Sequence, residues 1–231
     1  MTLPLYLAMT PPEIRRFSTL PEKLAYMACH FSPSGPGLTN LPQTLPPGSL
    51  LILDDSYPPS DHDPELVLKQ LTALVQRLQP AGLLLDFQRP YTDLLQQIAK
   101  LASQLPCPVG VTPIYAKSLP CPVLLPPVPP DVYIEDYLSP WQGRQVWLEA
   151  APSPLCLVLT DTGCVPESPD SPPEEGFCHQ GLFCHYTVKE TPEGFRFTLW
   201  RTKEDLALLL AEGAKLGVSA AAGLFQELRN L

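Results

Sequence analysis

Proline interrupts this chain so often that long straight helices are excluded. It supplies 31 of the 231 residues, and inside a helix each would remove a backbone donor and collide with the preceding turn. Between the prolines lies a series of short apolar runs: Leu3–Ala8, Leu24–Cys29, Ser49–Leu53, Gly82–Phe87, Val109–Thr112, Val123–Leu125, Gln145–Glu149 and Val218–Gly223. Most are continuously apolar rather than alternating, which is how strands buried on both faces of a parallel sheet read. Many close on Pro, as in SYPP, FQRP and LPPVPP. Full disorder is excluded as well, because 45% of the chain is hydrophobic and supplies a core.

Three segments carry helical spacing. Asp63–Gln79 opens with Asp63 as N-cap and Pro64 at the first helical position, and its apolar residues Leu66, Leu71, Leu74, Val75 and Leu78 recur at helical spacing. Tyr91–Gln104 follows Pro90 and places Leu94, Leu95, Ile98 and Leu101 together. Lys203–Leu216 has Thr202 as N-cap and Asp205 in its first turn, and Gly217 stops it. Strand and helix alternate most clearly over Ser49–Gly110, as βαβ units do.

Eight strand candidates in a chain of this length predict an α/β fold, an irregular (β/α)8 barrel occupying 1–231 as a single domain. Pro-rich stretches stand where several helices would be. Phe31–Gly48 has no helical pattern, and the link from Thr112 to Pro122 is short for a parallel crossover of ~10–12 residues. An open doubly wound sheet is the alternative. Residues 155–201 break the pattern. LCLVLTD, FCHYTVKE and GFRFTLWR alternate as antiparallel strands, and TPEG joins the last two as a hairpin. Val165–Gly176, rich in Pro and acid, reads as a loop. The whole segment is expected to be a β-rich insertion before the last helix and strand.

Charge narrows the partners. The formal net charge is −9, with 15 basic residues and no basic cluster, so neither a nucleic acid nor an anionic membrane has an electrostatic footprint. No run is long and apolar enough to insert in a membrane, and the N-terminal stretch lacks the cationic start of a secretory signal. Seven Cys with no CxxC read as reduced thiols, and with them a cytoplasmic location is expected. The pattern CHQGLFCH offers Cys178, His179, Cys184 and His185. Adjacent residues on a strand point to opposite faces, so all four cannot easily converge, and no metal is assigned there. No Gly-rich phosphate loop, GxSxG or HExxH occurs, and no cofactor is implied.

In a barrel, chemistry gathers at the C-terminal ends of strands. That rule selects His30, Asp54, Asp55, Asp86, Gln88, Thr112, Tyr115 and Glu149. Asp86 stands out, because a carboxylate closing an all-Leu strand is costly to bury without a partner or purpose. Gln88, two residues on, shares its face. An acidic, amide-bearing mouth suits a polyhydroxylated or amide ligand better than a phosphate.

AGLLLDFQ (81–88) and the stretch from Cys184 to Leu228 together resemble the chitinase-like barrels of glycoside hydrolase family 18, especially the compact spore-cortex and germination type. Trp200–Leu206 and Gly217–Phe225 follow that family's order of hairpin, helix and final strand. The resemblance implies a catalytic strand of pattern DxxDxDxE, whose positions fall here on Ala81, Leu84, Asp86 and Gln88. Asp86 keeps the residue that orients the substrate's acetamide, which itself attacks the anomeric carbon. Gln88 stands where the general acid would be, and an amide supplies no proton near neutral pH. The final-strand Trp of the family falls at Leu224 or Phe225. The resemblance therefore implies a catalytically degenerate barrel binding an N-acetyl-sugar glycan, with Asp54, Asp55, Tyr115, Glu149 and Phe225 lining its cleft. Two other functions stay open. One is an active glycosidase taking its acid from Glu149 or Asp55. The other is a non-enzymatic interaction scaffold.

Overall fold

A computed structural model describes residues 3–57, 62–89, 93–117, 119–168, 173 and 175–229. Eight parallel strands close into a barrel. They are β1 (Leu5–Met9), β2 (Leu24–Phe31), β4 (Leu50–Asp54), β5 (Gly82–Asp86), β6 (Val109–Val111), β7 (Val123–Leu125), β8 (Val146–Glu149) and β14 (Val218–Leu224), with β1 paired to both β14 and β2. A two-residue β3 (Leu38–Thr39) folds back antiparallel on β2. Every barrel strand falls on one of the eight apolar runs.

Two apolar layers explain why these strands read as continuous. Outward side chains such as Leu51, Leu53, Leu83, Leu85, Val111 and Leu148 pack under the helices, and inward ones fill the barrel. The interior holds Tyr6, Ala8, Ala25, Leu50, Ile52, Leu84, Leu124, Trp147, Ala220 and Ala222. Trp147 is the bulkiest of these. A Cβ on Gly110 would stand 2.6 Å from its ring and one on Gly82 3.0 Å, so the glycines of β5 and β6 make room for the indole of β8.

Helix α2 (Pro64–Leu78) is capped as expected: the Asp63 side chain accepts from Glu65 N–H, and Val67, Leu71, Leu74 and Val75 are buried. Helix α3 (Leu94–Ala102) buries Leu95 and Ile98. The expected helix start at Tyr91 and Thr92 lies outside the described residues. Helix α6 (Lys203–Lys215) begins in a capping box between Thr202 and Asp205. The remaining connections hold helices too short to show a period. These are α1 (Pro11–Arg16), α4 (Pro113–Ala116), α5 (Ile134–Leu138) and α7 (Phe225–Leu228).

Between β8 and α6 lies an antiparallel sheet of five strands. It contains β9 (Leu155–Thr160), β10 (Gly163–Glu167), β11 (Phe177–His179), β12 (Cys184–Thr191) and β13 (Gly194–Trp200), in the order β10-β9-β13-β12-β11. Part of the stretch read as an acidic loop is thus strand: Val165, Pro166 and Glu167 pair with Val158, Leu157 and Cys156. Pro166 is tolerated because, among the described residues, β10 is the edge strand of the sheet. Residues 169–172 and 174 of that stretch lie outside the described residues. Arg201, directly after β13, is buried and fastens the sheet to the barrel. It donates to the carbonyls of Val128 and Pro129 beyond β7 and to that of Phe183 just before β12. All seven cysteines are free.

Candidate functional site at the barrel mouth

Register places the polar residues in one row. His30 of β2 lies opposite Asp54 of β4, and Asp54 opposite Asp86 of β5. Along β5, Asp86 follows Leu84 on the inward face, so the carboxylate stands one layer above a Leu that is 2% exposed. A register shift between Met27 and Cys29 adds a residue to β2 and turns His30 inward, where Nδ1 lies 2.7 Å from Asp54 Oδ2. Three strands round the barrel from β5, Glu149 ends β8 beside Ala222 of β14.

Asp86 Oδ1 accepts a short hydrogen bond from the Gln88 side-chain amide. The Asp86 carboxyl is pushed above its ordinary value. Burial is the main cause and the charges of Asp54 and Asp55 add to it, while the Gln88 amide opposes. The charge that tunes Asp86 thus comes from the neighbouring strand rather than from its own, where Leu84 stands. Glu149 is raised as well, by burial and then by Asp86 and Glu227. Tyr137 of α5 is pushed up to about 12 by burial and by Glu149, and its hydroxyl donates to the Pro126 carbonyl. Asp86 and Glu149 thus share one electrostatic field across the mouth.

Raised carboxyl values make the mouth costly to the fold. The folded state holds these protons more tightly than the unfolded chain does. Their contribution is therefore present below the unfolded carboxylate pKa and is lost as pH rises through the folded values. Asp86→Asn is expected to raise Tm near pH 7 and to flatten the decline in stability from about pH 4 upward. Thermal denaturation across a pH series checks this, and an unchanged Tm at pH 7 would contradict it.

The remaining sequence candidates have other surroundings. Asp55 is 5% exposed, and its Oδ2 accepts the backbone N–H groups of Gln88 and Arg89 at 3.1 and 2.9 Å. It shapes the loop that carries Gln88. Tyr115 is buried against Phe87 and donates its hydroxyl to the Arg89 carbonyl, which holds the same loop from the α4 side. Thr112 donates to the Phe87 carbonyl. Phe225 opens α7 and packs edge-on against Phe17, with ring centroids 4.9 Å apart. Leu224 is 38% exposed at the end of β14. The structure therefore brings His30, Asp54, Asp86 and Gln88 together, with Glu149 in electrostatic reach. It uses Asp55 and Tyr115 as supports for the loop. Tyr137 escaped sequence reasoning because it lies in a one-turn helix with no periodic signal. His30 was visible only through the strand-end rule.

The eight-stranded parallel barrel, with an acidic row at its strand ends and an antiparallel sheet between β8 and α6, is an irregular (β/α)8 barrel. Two solved structures share the fold. The spore cortex-lytic enzyme SleL of Bacillus cereus matches with a TM-score of 0.52 at 10% identity, over 99% of this chain and 73% of that one. A chitinase from Chromobacterium violaceum matches with a TM-score of 0.50 at 8% identity, over 96% of this chain and 93% of that one. No protein-family profile matches the sequence, and no curated protein matches it. Among the described residues no helix is long and apolar enough to cross a membrane.

Proposed function

We infer that this chain is a carbohydrate-binding barrel that holds an N-acetyl-sugar-containing glycan at its mouth without hydrolysing it by the usual acid. The observation that carries the reading is the bond between Asp86 and Gln88. On this reading Asp86 accepts a hydrogen bond from an acetamide, while the group bonded to it is a side-chain amide that cannot protonate a leaving oxygen. Peptidoglycan fragments and chitooligosaccharides are the substrate classes of interest, since SleL and the chitinase are named for acting on spore cortex and chitin. Seven free thiols fit a reducing compartment.

One observation favours a second reading, an active glycosidase with Glu149 as acid. Its carboxyl is shifted upward, the direction a general acid needs, by burial and then by Asp86 and Glu227. Asp55 is less suited to that role, because its Oδ2 is committed to two backbone donors. A turnover assay on chitooligosaccharides and muropeptides separates the two readings. The binding reading predicts no turnover above that of Glu149→Gln. It also predicts that Gln88→Glu, which restores a proton donor beside Asp86, raises any residual rate ~10²–10⁴-fold. Wild-type turnover abolished by Glu149→Gln would establish the second reading instead.

A further inference from the structure

Away from the mouth, the hairpin ladder of the antiparallel sheet gathers three residues of metal-ligating type. Strand β11 pairs with β12 so that Cys178 lies directly opposite His185, on one face. The other half of the CHQGLFCH motif, His179 opposite Cys184, falls on the other face. There His179 Nδ1 accepts from the Leu182 N–H, and Cys184 is buried. The third donor is absent from the motif. It is Asp205, brought in by the first turn of α6. One donor atom from each of Cys178, His185 and Asp205 lies within 4.8 Å of the others.

We propose that Cys178, His185 and Asp205 form a binding site for a thiophilic divalent cation, zinc(II) in the first instance. Asp205 is 7% exposed and rigidly held. Its Oδ2 accepts from Thr202 N–H and Thr202 Oγ1, and lies 2.7 Å from His185 Nδ1. No hydrogen bond to its other oxygen is found among the described residues. The exposed Cys178 thiol is free. Thiolate, imidazole and carboxylate are a zinc donor set, and three protein ligands leave the fourth position for water or a further group.

The arrangement also distinguishes a cation site from a thiol–imidazole–carboxylate relay. In a relay the imidazole lies between the other two groups, and two hydrogen bonds plus the ring width would separate sulfur from carboxylate by about 7–8 Å. Here the sulfur and a carboxylate oxygen are within 4.8 Å, so the three groups converge on a point. Tetrahedral zinc wants donors about 3.3–3.6 Å apart, so the widest pair closes by at most about an ångström on loading. Binding releases the thiol proton and any proton held between His185 and Asp205 to solvent, which makes affinity rise with pH. Such an ion would pin the edge strand β11 to the start of α6, joining the sheet to the helix that precedes β14.

Cobalt(II) is the direct probe, because a thiolate ligand gives it a near-ultraviolet charge-transfer band. Metal-free, reduced full-length protein is expected to take one equivalent of cobalt with that band, to lose the band when zinc is added, and to gain in Tm with zinc. Cys178→Ser, a change at an exposed position whose folding is checked by circular dichroism, is expected to lose both the band and the gain in Tm. Cys164→Ser, an exposed control, keeps both. No thiolate band in the wild type, or a band that survives in Cys178→Ser, would overturn the site.

Discussion

Trp147→Ala is expected to cost about 3–5 kcal/mol of stability, the range for deleting a buried aromatic, and to lower Tm by roughly 6–20 °C for a domain of this size. The indole is 6% exposed at the centre of the barrel. Small residues make room for it. Gly82 and Gly110 have no side chain to contest the space, and β14 contributes only Ala220 and Ala222 to that layer. Leu50 and Leu84, which border the indole, can fill only part of the cavity that Ala would leave. Trp147→Phe should cost less. Chemical denaturation read as a midpoint shift at constant slope checks the figure. A loss below about 1 kcal/mol would mean that the ring is not the barrel's principal filling.

Arg201→Met is the second large effect, expected at about 2–4 kcal/mol. The guanidinium is buried, and burial lowers its pKa while Cys184, Asp205 and Asp131 act in the opposite direction. It donates to carbonyls on both sides of the junction between barrel and sheet: Val128 and Pro129 on one side, Phe183 on the other. Methionine matches much of the volume and none of the donors, so those carbonyls would lose a buried partner. The loss should be local in its dynamics. Amide exchange is expected to quicken in β11 and β12 before it does in β4 and β5. Uniform acceleration across the barrel would contradict the role assigned to Arg201.

The barrel strands were legible because both of their faces are buried, which writes a continuous apolar run into the chain. The helices were legible only where a cap and three or more turns coincide, as at Asp63-Pro64 and at Thr202–Asp205. One-turn helices such as Pro113–Ala116 hold too few residues to show a 3.6-residue period. Strand β10 was hidden by Pro166, whose presence reports an edge strand rather than a loop.

At the mouth, Asp86 and Gln88 were legible from strand position. What Asp55 and Tyr115 do was not, since both bond to the backbone around Gln88 and Arg89, and such contacts leave no mark in residue spacing. Convergence of Cys178 with His185 and Asp205 depends on the β11–β12 register and on the cap of α6, neither of which a motif of adjacent residues encodes.

On the proposed reading, Asp86 anchors a glycan at the barrel mouth. Calorimetric titration of chitooligosaccharides and muropeptides into the wild type and Asp86→Ala tests that claim most directly. The wild type is expected to bind at one site, and Asp86→Ala to weaken binding by about 10–150-fold, the equivalent of one hydrogen bond to a charged group. An absence of binding by the wild type, or binding indifferent to Asp86→Ala, would contradict the assignment of the mouth as a glycan site.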